Sequence, residues 1–222
     1  PRYPDLPPQM AGDRHDWRLS EYRSFNQNLV MDAPTQPIDV FLRLRTNTHH
    51  GIHVEALNRD DAEAQDRQQQ LIFGGVITFL FMVLVWAVNA WFEDPERVVA
   101  AFIFHQVVSI LFAMSLLGFS RVYLSGWLSA QFIDLLTSAM FPIATTAVLW
   151  FHSHFLREFN PPKVGMRCLN FLVVLTPLTL LLMFSGQIQL ALQVLAVIAF
   201  IYPMLLALLA SLTAQPEPGN TP

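Results

Sequence analysis

Polar and apolar positions fall into two regimes that meet at Gln70–Leu71 with no Gly/Ser linker between them. Beyond Leu71 the chain contains five apolar stretches, roughly 71–92, 98–117, 132–156, 166–184 and 188–210. Each is long enough for a helix across a hydrocarbon layer of about 30 Å, which needs about 20 residues. Pro95 in "EDPER" ends the first stretch and Gly118 closes the second, because proline cannot continue a helix and glycine punctuates it. Pro177 and Pro203 lie inside the fourth and fifth, where membrane helices tolerate them as kinks.

Ahead of Leu71 the periods change. "DVFLRLRTN" sets Val40, Leu42 and Leu44 against Asp39, Arg43 and Arg45, and "IHVEAL" places Ile52, Val54 and Ala56 on one face. Alternation of this kind marks half-buried strands, so the two segments predict a β-hairpin turning at "THHG". "DDAEAQDRQQQ" has acids first, good helix formers throughout and neither Gly nor Pro. It predicts a helix running on into the first apolar stretch, from about Asp60 to Trp91. The expected organisation is a β region over 1–58, a connecting helix over 59–70, a helical membrane region over 71–212 and a polar tail over 213–222. The fold class follows: an all-α transmembrane helical domain preceded by the C-terminal part of a small extracytoplasmic β-sandwich.

Composition sharpens the division. Of 222 residues 53% are hydrophobic and 14% charged, with mean hydropathy +0.39. Eight of the 13 Lys and Arg precede residue 70, so the first part faces water and the rest lipid. No basic stripe suggests nucleic acid, and the single cysteine, Cys168, excludes an internal disulfide. "PRYPDLPPQM" lacks the apolar core of a signal peptide, and the chain reads as a piece of a longer protein. The connections after the first and third spans hold Arg97, Arg157, Lys163 and Arg167, against Arg121 alone in the others. Basic connections stay in the cytoplasm, which places residues 1–70 outside. Tyr123 and Trp127 then suit the outer interface.

Several side chains invite a functional reading. Trp17 and Tyr22 are ring side chains of the kind that stack on sugars, although core packing is the commoner use. Asp134, at the outer start of the third span, is an ionisable group near lipid, or a carboxylate that simply reaches water. His49, His50 and His53 would need to converge to hold a metal, and two of them sit in the turn itself; a solvated turn is the simpler reading. His152 and His154, two apart, point to different sides of a helix. His105 and Gln106 have the chemistry to bond a neighbouring helix. No phosphate loop, nucleophile triad or HExxH zinc motif occurs, so neither an enzyme, nor a cofactor, nor a metal site is expected within these residues.

"GDRHDWRLSEYRSFNQNLVM", "DVFLRLRTNTHHGIHVEAL", a short polar helix and then "LIFGGVITFLFMVLVWAVNAWFEDPE" together resemble the bacterial seven-transmembrane receptors with diverse intracellular signalling modules. Leu42–Arg43 is similar to the Leu-Arg pair ending that family's jelly-roll sensor. Gly12–Asp13 with Arg18 and Arg23 resembles its earlier Gly-Asp and Arg-rich stretch. Gly74 or Gly75, Asn89 and Asp94/Arg97 match the opening glycine, the asparagine and the charged turn of its first span. The chain departs from the family in having five spans rather than seven, and in a second span that opens "VVAAFIFHQ". The resemblance implies a jelly-roll-like sensor facing the periplasm, the inner membrane as location, and a histidine kinase or diguanylate cyclase as output beyond these residues. Expected partners are the lipid bilayer, a small-molecule or carbohydrate ligand at Trp17, Tyr22 and Asp134, and a second copy of the chain. The alternative is a five-span transporter or membrane-complex subunit.

Overall fold

The structure is a computed structural model whose described residues are Tyr22, Ser24, 29–31 and 54–213. Trp17, His49, His50 and His53 and the predicted hairpin as far as residue 53 lie outside them, whereas Val54 and Ala56, expected on the buried face of its second strand, are described, form no strand and are exposed. Among the described residues every regular element is a helix: α1 Arg59–Glu93, α2 Arg97–Leu116, α3 Phe119–Leu124, α4 Ala130–Arg157, α5 Lys163–Phe184 and α6 Ile188–Thr213. All except α3 are long and apolar enough to cross a membrane, which makes five such helices and a multi-pass membrane protein.

The helix ends follow local chemistry. Asn58 Oδ1 accepts from the Asp61 N–H at 2.8 Å and caps α1, while Asp60 and Asp61 favour the positive end of its dipole. α1 then runs 35 residues without a break, a length of about 50 Å. Pro95 separates it from α2. Ser129 Oγ accepts from the Phe132 N–H at 3.3 Å at the start of α4. After α4, Asn160 takes a left-handed conformation, φ 50°, which asparagine tolerates better than most residues, and Pro161–Pro162 leads into α5. At the end of α5 the Gly186 N–H donates to Met183 O and the Gln187 N–H to Leu182 O, with Gly186 at φ 84°. This is the paired bonding of a Schellman cap, and the left-handed position suits glycine. It folds α6 back on α5 within three residues.

The chain divides into two compact units, Pro1–Gly75 with Met114–Thr137, and Val76–Ala113 with Ser138–Pro222. In the first, α3 occupies part of the connection expected between the second and third spans. Phe119 and Tyr123 stack with centroids 6.1 Å apart, and Gly118 at φ 83° precedes the helix. Six residues free of Gly and Pro are enough for one and a half turns.

In the second unit α4 has neighbours on two sides. Val108 and Phe112 of α2 pack on Met140, Ile143, Ala144 and Ala147. Leu149 and Leu156 pack with Leu169 and Leu172 of α5 and Ile198 and Leu209 of α6. Farther along the α5–α6 pair, Met183 meets Ala191 and Leu195. A Cβ on Gly165 would collide with the Leu209 side chain, so this glycine lets the two helices approach closely. Pro142 is a third helical proline that sequence reading did not single out. The Thr146 hydroxyl donates to Pro142 O at 2.8 Å and Thr145 to Phe141 O at 2.9 Å; these are second bonds to the carbonyls at the proline, while the donor that Pro142 lacks is the one for Ser138 O.

Candidate functional site

The first candidate is the junction, in the first unit. Asp66 lies on α1, one turn before Leu71. Its Oδ1 accepts from the Ser24 hydroxyl at 2.7 Å, and Tyr22 hydrogen-bonds the same carboxylate. Partial burial, the bond to Asp66 and the charges of Asp66 and Glu63 push the Tyr22 phenol up to about 12, since each disfavours a phenolate. A segment some 40 residues earlier is therefore held on α1 at the edge of its apolar part. Nearby, Arg59 Nε reaches Glu63 Oε1 at 3.1 Å. That pair is exposed and contributes little.

Burial along α1 has one register. Ala62, Asp66 and Gln69 are the half-covered positions of α1 before the membrane part, and Phe73, Ile77, Leu80, Leu84 and Ala87 are among the covered positions within it. The spacing is three or four residues throughout, the repeat of a single helical face. The face that receives Ser24 therefore continues, within one helix, into the face covered inside the membrane.

The second candidate lies in the second unit and links α1, α2, α4 and α6. Gln106, buried on α2, donates from Nε2 to Leu80 O of α1 at 2.9 Å. Its neighbour His105 stays within its own helix, with Nδ1 3.3 Å from Ser109 Oγ, and stacks on Phe151 of α4 at 5.7 Å and 8°. His152, next to that ring, has Nδ1 at 2.8 Å from Val148 O and 2.7 Å from the Tyr202 hydroxyl of α6. The carbonyl only accepts, whereas the phenol does both. A protonated Nδ1 donates to Val148, and a bare Nδ1 accepts from Tyr202. His154 faces elsewhere, 3.0 Å from Trp150 O and edge-on to the Trp150 ring at 4.7 Å. The two histidines do point apart, as their spacing predicts.

The three residues expected to bind ligand have different surroundings. Trp17 is outside the described residues, Tyr22 bonds Asp66, and Asp134 is half-buried in the second turn of α4. Sequence reading missed Asp66, Ser24 and Tyr202. Asp66 looked like one acid among several on a solvated helix, and Tyr202 is 50 residues from its partner. Among the described residues no group of three or more His, Cys, Asp or Glu side chains is placed to hold a metal ion. No family model matches the chain, and neither a curated protein nor a solved structure matches it.

Proposed function

We propose that the chain is the sensing and membrane part of a signal-transducing receptor. An extracytoplasmic region over residues 1–58, of jelly-roll type by resemblance, perceives a small-molecule or carbohydrate ligand. The membrane helices relay its state to a cytoplasmic output module that residues 1–222 do not include. The observation that carries the reading is the unbroken helix α1, tied to the preceding chain at Asp66 and covered along one register into the membrane. A helix of that kind carries a rotation or a shift across the interface, whereas a flexible linker would dissipate it.

The test is a register series in the full-length protein with its own output. One residue inserted after Gln70 turns the helix beyond it by about 100°, and four restore most of the rotation while adding about 6 Å. The single insertion is expected to lock or abolish output, and the fourfold insertion to recover part of it. Normal ligand response from both would reduce the junction to a tether. Alkaline phosphatase fused after Gly118 or Gln187 is expected to be active and after Pro95 or Pro162 inactive. The reverse pattern would overturn the periplasmic N-terminal region.

A transporter or membrane-complex subunit is the second reading. The His105, His152 and Tyr202 group favours it, because ionisable side chains on membrane helices often mark a proton or substrate path. On that reading His152→Phe stops function while the insertions after Gln70 leave it intact.

A further inference from the structure

The α5–α6 pair carries a groove that the receptor reading does not use. Its walls are Phe171 and Leu172 of α5 and Ile201 and Leu205 of α6, with Arg167 and Cys168 at one end, around an open volume of about 410 Å³. Just past that end the helices close on each other where Gly165 meets Leu209. The groove therefore starts at the basic end of α5 and runs toward the membrane interior. Phe171 and Ile201 are exposed, at 64% and 46%.

Charge surrounds the closed end. Lys163 precedes Arg167 by one turn and shares its face of α5, and Arg157 ends α4. Lys163, Arg167 and Arg157 are exposed, and none has an ion pair or side-chain hydrogen bond among the described residues. Glu158, in the same connection, pairs with none of them. Unpaired cations beside an open apolar furrow at the end of a membrane helix match one ligand shape, an anionic head on a long apolar chain. A soluble anion would leave the furrow bare, and a neutral lipid would leave the cations unanswered.

We infer that Lys163 and Arg167 hold the headgroup of an anionic phospholipid whose acyl chain lies in the groove between α5 and α6, against Phe171, Leu172, Ile201 and Leu205. Basic pockets between membrane helices take such headgroups, each Lys or Arg near the surface adding about 1 kcal/mol, or roughly fivefold in affinity. The inference is independent of whether the chain is a receptor or a transporter.

The full chain is reconstituted in phosphatidylcholine vesicles carrying a minor share of lipid with a photoreactive acyl chain. The headgroup is phosphatidylglycerol in one arm and phosphatidylcholine in the other. Crosslinks are mapped to peptides. The phosphatidylglycerol probe is expected to label residues 167–172 and 201–205 in excess over the phosphatidylcholine probe. Lys163→Gln and Arg167→Gln each lower that excess roughly fivefold, while Arg167→Lys keeps it. Equal labelling by the two probes would overturn the site, as would an excess that survives in the double Gln variant. An excess removed by millimolar inorganic phosphate would show an anion site without a lipid, and would overturn it too.

Discussion

α1 and the α5–α6 pair are both apolar and of membrane length, yet they are packed in opposite ways. Among its 35 residues α1 buries only Ala87, and side chains such as Leu71, Phe79, Met82 and Trp86 are exposed. α5 buries Leu169, Leu172, Thr176, Thr179 and Met183 in 22 residues, and α6 buries four in 26. Apolarity alone does not produce this difference, since lipid satisfies an apolar side chain as well as a neighbouring helix does. Small residues and tight turns decide. Gly165 admits Leu209, and Gly186 folds α6 onto α5. Gly74 and Gly75 of α1 have nothing within 4 Å of where a side chain would start. A helix held by few contacts turns at low cost, and a close-packed pair resists. On the receptor reading the first is a transmitting element and the second an anchor.

The largest expected effect separates the two directly. Leu195 is fully buried against Met183 and Ala191, so Leu195→Ala leaves a cavity and is expected to cost about 2–5 kcal/mol. Leu71→Ala removes a side chain that is 73% exposed and is expected to stay within about 0.5 kcal/mol. Reversible unfolding in mixed micelles measures both. Equal losses would remove the contrast between a lightly held helix and a firm pair.

Smaller effects are expected at the polar contacts between helices. Membrane hydrogen bonds average about 0.6 kcal/mol and reach about 1.7. Gln106→Leu removes the side-chain bond that holds α2 to the α1 backbone at Leu80, and is expected to loosen α1 by about that amount. His152→Phe and Tyr202→Phe, combined in a double-mutant cycle, are expected to show a coupling of the same size across α4 and α6. A coupling of zero would mean that the 2.7 Å approach stabilises nothing. The same cycle sharpens the comparison, because Gln106 restrains the light helix while His152 and Tyr202 tie α4 to α6 of the firm pair.

The span limits were readable because each is written in a residue with a fixed backbone effect. Pro95, Gly118, Pro161–Pro162 and Gly186 stand at the breaks between helices, and the polar start of α1 was readable from its acids and its helix formers. What escaped depends on distance or on competing signals. Pro142 sits in an apolar run whose other residues favour a helix, so nothing nearby marked it. α3 is too short for its period to register. Asp66 becomes special only through Ser24, 42 residues away, and periodicity carries no information about such pairs. The packing contrast itself was invisible, because beyond Leu71 α1 is as apolar as the α5–α6 pair.

The smallest expected effect tests the tie between the preceding chain and α1. Tyr22 is pushed up to about 12, first by partial burial and then by its bond to Asp66 and the nearby negative charges. A phenol raised in the folded state favours the neutral form. Its stabilisation is therefore complete below the ordinary value of about 10 and fades as pH rises from there through about 12. The chain holds four tyrosines, so the signal is the difference in phenolate absorbance between the native chain and Tyr22→Phe. That difference is expected to rise near pH 12. Asp66→Asn removes the charge but not the burial, so Tyr22 should then titrate lower while staying above 10. Titration of Tyr22 near 10 in the native chain would mean that its hydroxyl is not held on α1. Of the Tyr22 and Ser24 bonds to Asp66 only the second would then hold the light helix, and Ser24 would have to carry any movement from the water-facing chain into the membrane.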